Sequence, residues 1–183
     1  LAQVTALEIS QDVERQSLDG HVEYIFDRTG ALTLEDIRVS TSWAPVGQQP
    51  YSKGLEVGVA WLRFKIVNSS NESVDRVLQI GAGHADQVSV WMMRLDGSTR
   101  RFEAGEDTDP SQREIRHFLP RVNVSLSPGE EVDLLLRMAD EGTMNVAIVV
   151  ATQDELQANS DTRQWMSGLM SGVFLLVGIY AFM

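Results

Sequence analysis

Three side chains in the segment 59–68 have the chemistry of a ligand-binding surface. Trp61, Arg63 and Lys65 are spaced by two, so in a strand they lie on one face of the sheet. An indole beside two cations offers a surface on which a sugar ring stacks and its hydroxyl groups or carboxylate are held. The alternative is that Trp61 packs under a neighbouring loop while Arg63 and Lys65 extend their charged ends into solvent.

A second pair of candidate ligand contacts is Arg113 and His117. The alternating pattern of residues 113–119 predicts a strand, and a spacing of four places both side chains on one face. The alternative role for Arg113 is structural, because an arginine next to an acidic loop commonly ties that loop down.

That acidic loop, residues 103–109, carries four carboxylates within seven residues. Glu106, Asp107 and Asp109 are hard oxygen ligands of the kind that calcium prefers, although their spacing differs from that of an EF-hand. The alternative is a solvated acidic loop on an acidic protein. Metal binding is therefore kept only as an alternative, and the primary expectation is that the chain holds no metal.

Motifs for catalysis or for a cofactor are absent from the sequence. It contains no nucleophile elbow, no phosphate-binding glycine loop and no metalloprotease helix. His21, His84 and His117 are far apart, without the close pairs that mark many zinc sites. We therefore expect a protein that is not an enzyme and that needs no cofactor.

Composition limits the class of partner. The chain has 183 residues, a formal net charge of −11 and no cysteine. This charge repels phosphate backbones, and no cluster of Lys and Arg offsets it, so nucleic acid is not an expected partner. The 163 residues that precede the C-terminal apolar run fit one domain with its own core.

Short apolar runs separated by turn residues indicate an all-β domain. Residues 35–46 are less regular and indicate a helical turn followed by an extended segment around Trp43, while Asp96-Gly97 marks a tight hairpin. The expected fold is a β-sandwich of jelly-roll type. The predicted strands are residues 21–26, 59–68, 75–80, 87–95, 99–103, 113–119, 122–126, 132–138 and 146–150.

The C-terminal residues 164–183 contain no charged side chain. At about 1.5 Å rise per residue, the 19 residues from Trp165 to Met183 nearly cross a hydrocarbon core of about 30 Å. This pattern predicts the start of a transmembrane helix, and the polar residues 153–163 predict a linker or helix leading into it. An acidic soluble domain joined to a membrane helix favours a receptor.

Several segments occur in an order that resembles a known family. These are residues 61–68, the strand pair around residues 88–95, and residues 105–113, 119–128 and 134–138. Together they resemble the type 2 extracytoplasmic sensor domain of bacterial seven-transmembrane receptors with diverse intracellular signalling modules, over residues 20–183. The sequence departs from the family pattern at Glu106, which stands where the first acid is expected, and at Asp109-Pro110, which replaces a Pro-Phe pair.

The resemblance implies a domain organisation and a location. Residues 1–152 would form a periplasmic, carbohydrate-binding-module-like jelly roll, and residues 164–183 would begin the first of seven helices in the bacterial inner membrane. A cytoplasmic output such as a diguanylate cyclase or a histidine kinase would follow.

Three hypotheses for function remain at this point. The first is a sensor for a small-molecule or glycan ligand. The second is a homodimerisation or partner-docking domain that acts without a ligand, and the third is a calcium-responsive sensor.

Overall fold

The computed structural model describes residues 5–82, 85–109, 111, 113–115, 117–140 and 142–158. The chain divides into two units, Leu1–Ala151 and Thr152–Met183. In the second unit residues 153–158 are helical, and Thr152 begins this helix by accepting hydrogen bonds from the N–H groups of Glu155 and Leu156. The predicted transmembrane helix lies outside the described residues. Within them, no helix combines the length and the apolar character needed to cross a bilayer.

The first unit is a β-sandwich. In the part of the chain that the structure describes it contains twelve strands and one short helix, α1. The elements are β1 (Leu7–Ile9), β2 (Arg15–Ser17), β3 (Glu23–Asp27), α1 (Leu34–Val39), β4 (Ala44–Pro45), β5 (Tyr51–Gly54), β6 (Gly58–Asn68), β7 (Val74–Gly81), β8 (Gln87–Arg94), β9 (Thr99–Ala104), β10 (Arg121–Leu126), β11 (Glu131–Asp140) and β12 (Met144–Ala151).

These strands form two sheets. The seven-stranded sheet has the order β4-β3-β6-β11-β8-β9, with β1 parallel to the last part of β6. The five-stranded sheet has the order β10-β7-β12-β2, with β5 pairing to the first part of β12. All the described pairings other than β1 with β6 are antiparallel.

The core lies between the two sheets because the strands alternate apolar and polar side chains. Along β6 the inward positions are Leu62, Phe64 and Ile66, each 1% exposed or less. They pack in one cluster with inward residues of the other sheet, such as Leu78 and Ile148. This confirms the prediction of an all-β sandwich.

Most predicted strands are confirmed, and the short ones were missed. The hairpin at Asp96-Gly97 is present, where Gly97 has φ 85° and the N–H of Arg94 donates to the carbonyl of Ser98. The helical turn expected in residues 35–46 is α1. The strands β1, β2 and β5 were not predicted, because runs of three or four residues such as Arg15–Ser17 carry no usable periodicity.

The strand predicted at residues 113–119 is wrong. The residues described there form bends and irregular backbone. Local bonds replace a strand ladder: Arg113 donates to the carbonyl of His117 at 3.3 Å, and the N–H of Leu119 donates to Nδ1 of His117 at 3.1 Å. Side chains that bond to nearby backbone in this way compete with strand formation.

One fully buried side chain, that of Asn68, joins two turns at one end of the sandwich. Its Nδ2 donates to the carbonyls of Glu72, Leu126 and Ser127 at 2.8, 3.2 and 3.0 Å. Its Oδ1 accepts from the N–H and hydroxyl of Ser70 at 3.0 and 2.7 Å. The amide thereby satisfies polar groups of both the β6–β7 and the β10–β11 connections.

Replacing Asn68 with alanine should lower the free energy of unfolding by about 2 to 4 kcal/mol, because buried carbonyls lose their donor. Urea denaturation followed by tryptophan fluorescence measures the loss. The control is Asn123→Ala, which removes an exposed amide that donates to Glu114 and should change stability by about 0.5 kcal/mol or less. Equal effects of the two substitutions would contradict this role for Asn68.

Candidate functional site

The outer face of the seven-stranded sheet carries a second apolar cluster, separate from the core between the sheets. Its buried members are Ile37, Val59, Trp61, Trp91 and Leu135. The indoles of Trp61 and Trp91 stack with ring centroids 5.7 Å apart and an interplanar angle of 22°. The centre of this sheet is therefore apolar on both faces.

Strand register explains why these side chains meet. β11 lies between β6 and β8, and Arg137 of β11 is opposite Trp61 on one side and Ser89 on the other. Two residues earlier in β11, Leu135 is opposite Trp91 of β8. Positions two residues apart share a face, so the side chains of Trp61, Ser89, Trp91, Leu135 and Arg137 project together from the outer face.

The helix α1 covers part of this cluster with Ile37, which is 1% exposed. Thr33 caps the helix: its hydroxyl accepts from the N–H of Asp36, and the Asp36 carboxylate accepts from the Thr33 N–H at 2.9 Å. Such a reciprocal capping box stabilises the N-terminus of a helix that is too short to be stable alone.

The loop that leads into α1 is held by the buried carboxylate of Asp27. It accepts from the N–H and hydroxyl of Thr29 at 2.9 and 2.7 Å and from the N–H of Leu32 at 2.8 Å. Burial alone raises the pKa of Asp27, but these hydrogen bonds outweigh it and the net effect is a lowered pKa. The carboxylate therefore stays charged and keeps the helix over the sheet.

A groove of about 450 Å³ opens beside the N-terminal end of α1, and we call it the indole groove. Trp61 and Trp91 contribute to its lining, together with Leu34 of α1. Its polar lining residues are Thr33, Gln87, Ser89, Arg101, Glu103, Asp107, Thr108 and Arg137. An apolar base with polar walls is the usual composition of a small-molecule site.

Charged groups in the indole groove are arranged over the rings. The guanidinium of Arg101 lies 5.3 Å from the ring centre of Trp91, and that of Arg137 lies 5.9 Å from that of Trp61, both within the range of cation–π contact. Glu103 accepts from the Ser89 hydroxyl at 2.7 Å and pairs with Arg101. The groove therefore presents hydrogen-bonding groups of both polarities above an apolar base.

A second groove, of about 500 Å³, opens at the C-terminal end of α1 and includes Arg38, Trp43, Arg63 and Lys65. We call it the basic groove. Arg63 lies 4.4 Å above the ring of Trp43, and its Nε donates to Glu23 at 2.7 Å.

Lys65 of the basic groove is held by two carboxylates. It donates to Glu131 at 2.7 Å, and its Nζ lies 3.1 Å from Asp133. The hydrogen bond to Glu131 is the main reason that the pKa of Lys65 is raised. The ammonium group is thus already engaged within the sheet face.

The predicted trio of Trp61, Arg63 and Lys65 is on one face, as its spacing predicts, but it is split between the two grooves. Trp61 is 2% exposed under the side chains that cover the cluster, which agrees with the alternative that it packs beneath a neighbouring segment. Arg63 and Lys65 carry the ion pairs described above.

Arg113 and His117 lie away from both grooves, in the segment that follows β9. Arg113 donates to the carbonyls of Gly105 and Thr108 at 2.7 and 3.4 Å, so it ties down the acidic loop through the backbone. Gly105 lets the loop pack closely against the backbone of Asp86: it has φ 116°, and a Cβ there would lie 2.4 Å from the carbonyl oxygen of Asp86.

The acidic side chains of this loop do not form a metal site in the described part of the chain, where no group of three or more acidic, histidine or cysteine side chains is placed to hold an ion. Asp109 instead accepts from the N–H of Ser111 at 2.8 Å, and this bond lowers its pKa. Asp107 is exposed and borders the indole groove, while Glu106 donates its N–H to the carbonyl of Ala85 at 3.0 Å.

Sequence reasoning missed the polar residues of the indole groove that belong to β8, β9 and β11. Ser89, Glu103 and Arg137 are brought together only by the pairing of these strands. The usable signal was the alternation of Gln87, Ser89 and Trp91 along a strand that had been predicted. The residues that share this face could be identified only once the pairing of β8 with β9 and β11 was known.

Comparison with known families identifies the domain. A family model described as 7TMR-DISM extracellular 2 matches residues 19–152, from the end of β2 to the end of the sandwich. The chain belongs to this family. A comparison with curated proteins finds no match.

Membership in the 7TMR-DISM extracellular 2 family confirms the resemblance seen in the sequence. The domain is an extracellular sensor of a membrane receptor, and the family is a sensor family and not a catalytic one. The matched residues contain α1 and every strand that contributes to the two grooves.

The acidic loop should respond to pH through His117. Burial, and secondarily the positive charge of Arg121, lower the pKa of this histidine, and its Nδ1 must be unprotonated to accept from the Leu119 N–H. Its contribution to stability is present above the unfolded-state pKa of about 6.5 and is lost as pH falls through the lowered folded-state pKa. Hydrogen exchange of peptides covering residues 105–119, corrected for the fall in the intrinsic rate, should therefore show an excess that grows as the pH is lowered from about 7 to about 5.

His117→Gln should remove this excess. The matched control His21→Gln, which removes another histidine of the sandwich, should keep it. Exchange that follows only the intrinsic rate in the unmodified chain would contradict the assignment.

Proposed function

We propose that this domain is the periplasmic ligand-sensing domain of a bacterial inner-membrane receptor and that it binds a carbohydrate-like ligand in the indole groove. The observation that carries the proposal is the stacked pair of Trp61 and Trp91 at the base of a groove with polar walls. Sugars combine an apolar C–H face with a rim of hydroxyl groups, and this groove combines the two matching surfaces.

The Arg101 side chain is the element that a ligand would displace. It covers one face of Trp91, and its side chain is 61% exposed. Among the described residues it pairs with Glu103 and contacts the Trp91 ring, and because its side chain is largely exposed it can move aside at little cost. A sugar ring that replaces it on the indole keeps a stacking contact, and Arg101 and Glu103 then serve as hydrogen-bonding walls.

The other predicted ligand residues have supporting roles in this proposal. Arg63 and Lys65 extend the binding face into the basic groove, where a longer glycan would continue past α1. Arg113 and His117 hold the loop whose Asp107 and Thr108 form one wall of the indole groove. The sandwich is then a jelly roll that resembles a carbohydrate-binding module.

Signal relay would run through the last strand. β12 lies between β7 and β2 in the five-stranded sheet and ends at Ala151, immediately before the helical residues 153–158. A ligand biases the receptor only as far as it binds one arrangement of the domain better than another. Residues 164–183 would form the first membrane helix, and the output would be a cytoplasmic diguanylate cyclase or histidine kinase.

A second candidate function is partner docking or homodimerisation without a ligand. Exposed apolar side chains favour it: Leu55 and Val57, between β5 and β6, are 84% and 72% exposed, and Phe118, just before β10, is 66% exposed. Both positions lie at the end of the sandwich where β6 and β10 begin. Such side chains commonly mark contact surfaces when they are contiguous.

The primary proposal predicts saturable binding of at least one member of a glycan panel to the 183-residue chain, measured by calorimetry. The detergent should carry no sugar headgroup, since a maltoside would compete. Glu103→Gln should weaken that binding about tenfold, because hydrogen bonds to a charged group contribute about 1.5 to 3 kcal/mol.

The matched control is Glu131→Gln, which neutralises a paired glutamate beside the basic groove and should change affinity less than about twofold. No saturable binding across the panel, combined with concentration-dependent dimerisation in sedimentation, would favour the docking function. Equal weakening by both substitutions would remove the indole groove as the site.

A further inference from the structure

The most informative charge in the indole groove is that of Arg137. It occupies the middle of β11, opposite Trp61 and Ser89 in the neighbouring strands, and its side chain lines the groove. The residue is only partly exposed, and its guanidinium remains charged at every physiological pH.

Among the residues that the structure describes, Arg137 lacks an acidic partner, although acids outnumber bases in this chain, 26 to 15. The other basic residues that project from the central strands of this face are paired: Arg63 with Glu23 and Lys65 with Glu131 and Asp133. Arg101 at the neighbouring edge is paired with Glu103. Among the described residues, no carboxylate pairs with Arg137, and its one close charge-related contact is with the Trp61 ring.

The acids around the groove do not compensate for this. Glu103 is already bound by Ser89 and Arg101. Asp107 is exposed at the border of the groove, where solvent and salt screen its charge. A partly buried charge without a partner lowers the stability of the fold. A chain with so many Asp and Glu residues could readily place one of them beside Arg137.

Hydrogen-bond donors are also in surplus here. No described group accepts from the Nε1–H of Trp61, although that atom is buried and the residue is 98% covered. Arginine offers five N–H donors in a planar fork that matches the two oxygens of a carboxylate. A groove that holds an unpaired arginine fork is suited to a negatively charged ligand rich in acceptors.

We propose, resting on the function proposed above, that the ligand is an acidic sugar whose carboxylate is bound by Arg137. The sugar ring then lies toward Trp91, and its hydroxyl groups contact Glu103 and Gln87. Arg137 is in this account the residue that selects acidic over neutral glycans.

The test uses uronic acid oligomers of several stereochemistries, each paired with its methyl ester, which keeps the ring and removes the charge. With the 183-residue chain in a detergent without sugar headgroups, at least one acid should bind and its ester should bind at least tenfold more weakly. Raising the salt concentration from 50 to 500 mM should weaken the binding of the acid more than that of the ester.

Variants separate charge recognition from loss of the groove. Arg137→Gln should bind the acid and its ester with affinities within about twofold of each other, and Arg137→Lys should recover part of the preference. The control Arg28→Gln removes an exposed arginine that lines neither groove and pairs with Glu56, and it should keep the full preference. Thermal melting of each variant verifies that it is folded.

The outcomes distinguish the two proposals. Neutral glycans or esters that bind the unmodified chain as tightly as the acids would overturn the acidic-sugar inference and leave the sensing function standing. A preference for the acid that survives in Arg137→Gln would overturn the role of Arg137. Absence of binding by every acid and neutral glycan would overturn both.

Discussion

The structure depends on the burial of an apolar patch on the outer face of the seven-stranded sheet. Trp61, Trp91 and Leu135 project from its central strands, away from the core between the sheets. An indole of this size buries about 150 to 250 Å², so exposing either tryptophan would cost roughly 4 to 6 kcal/mol. That is comparable with the whole stability of an ordinary domain, and the patch therefore requires a cover.

The helix α1 covers only part of this patch, and the grooves lie where its cover ends. α1 has six residues, too few to span the patch, and the guanidinium groups of Arg101 and Arg137 cover what it leaves. A groove lies at each end of the helix. The helix itself is positioned by local hydrogen bonds: Asp27 accepts from its entry loop, and Thr33 caps its first turn.

Ion pairs at the surface of this domain contribute less to its stability than apolar burial does. Exposed ion pairs such as Arg28 with Glu56 contribute about 0 to 1 kcal/mol and do not hold the fold. The pairs on the sheet face matter more, because Glu23 is 8% exposed and its buried carboxylate pairs with Arg63. Among the described residues of this face, Arg63, Lys65 and Arg101 are paired, whereas Arg137 has no acidic partner and lies in the groove with the stacked indoles.

Period-two alternation predicted the two-sheet sandwich, the long strands and the common face of Trp61, Arg63 and Lys65. It could not decide between a solvated and a packed Trp61, because that burial depends on α1, which is distant in sequence. It failed at residues 113–119, which alternate but are bent by bonds to Arg113 and His117. The indole groove needed the register between β8, β9 and β11, which no single strand encodes. The network around Asn68 was equally hidden, because one asparagine in a strand has no periodic signature.

The most direct test of the account is a ¹H–¹⁵N spectrum of the tryptophan indole groups, recorded with and without a sugar that binds and is too short to reach the basic groove. Binding in the indole groove predicts that the Nε1–H resonances of Trp61 and Trp91 shift on saturation while that of Trp43, in the basic groove, stays in place. A shift of Trp43 alone, or saturation with all three resonances unmoved, would contradict it.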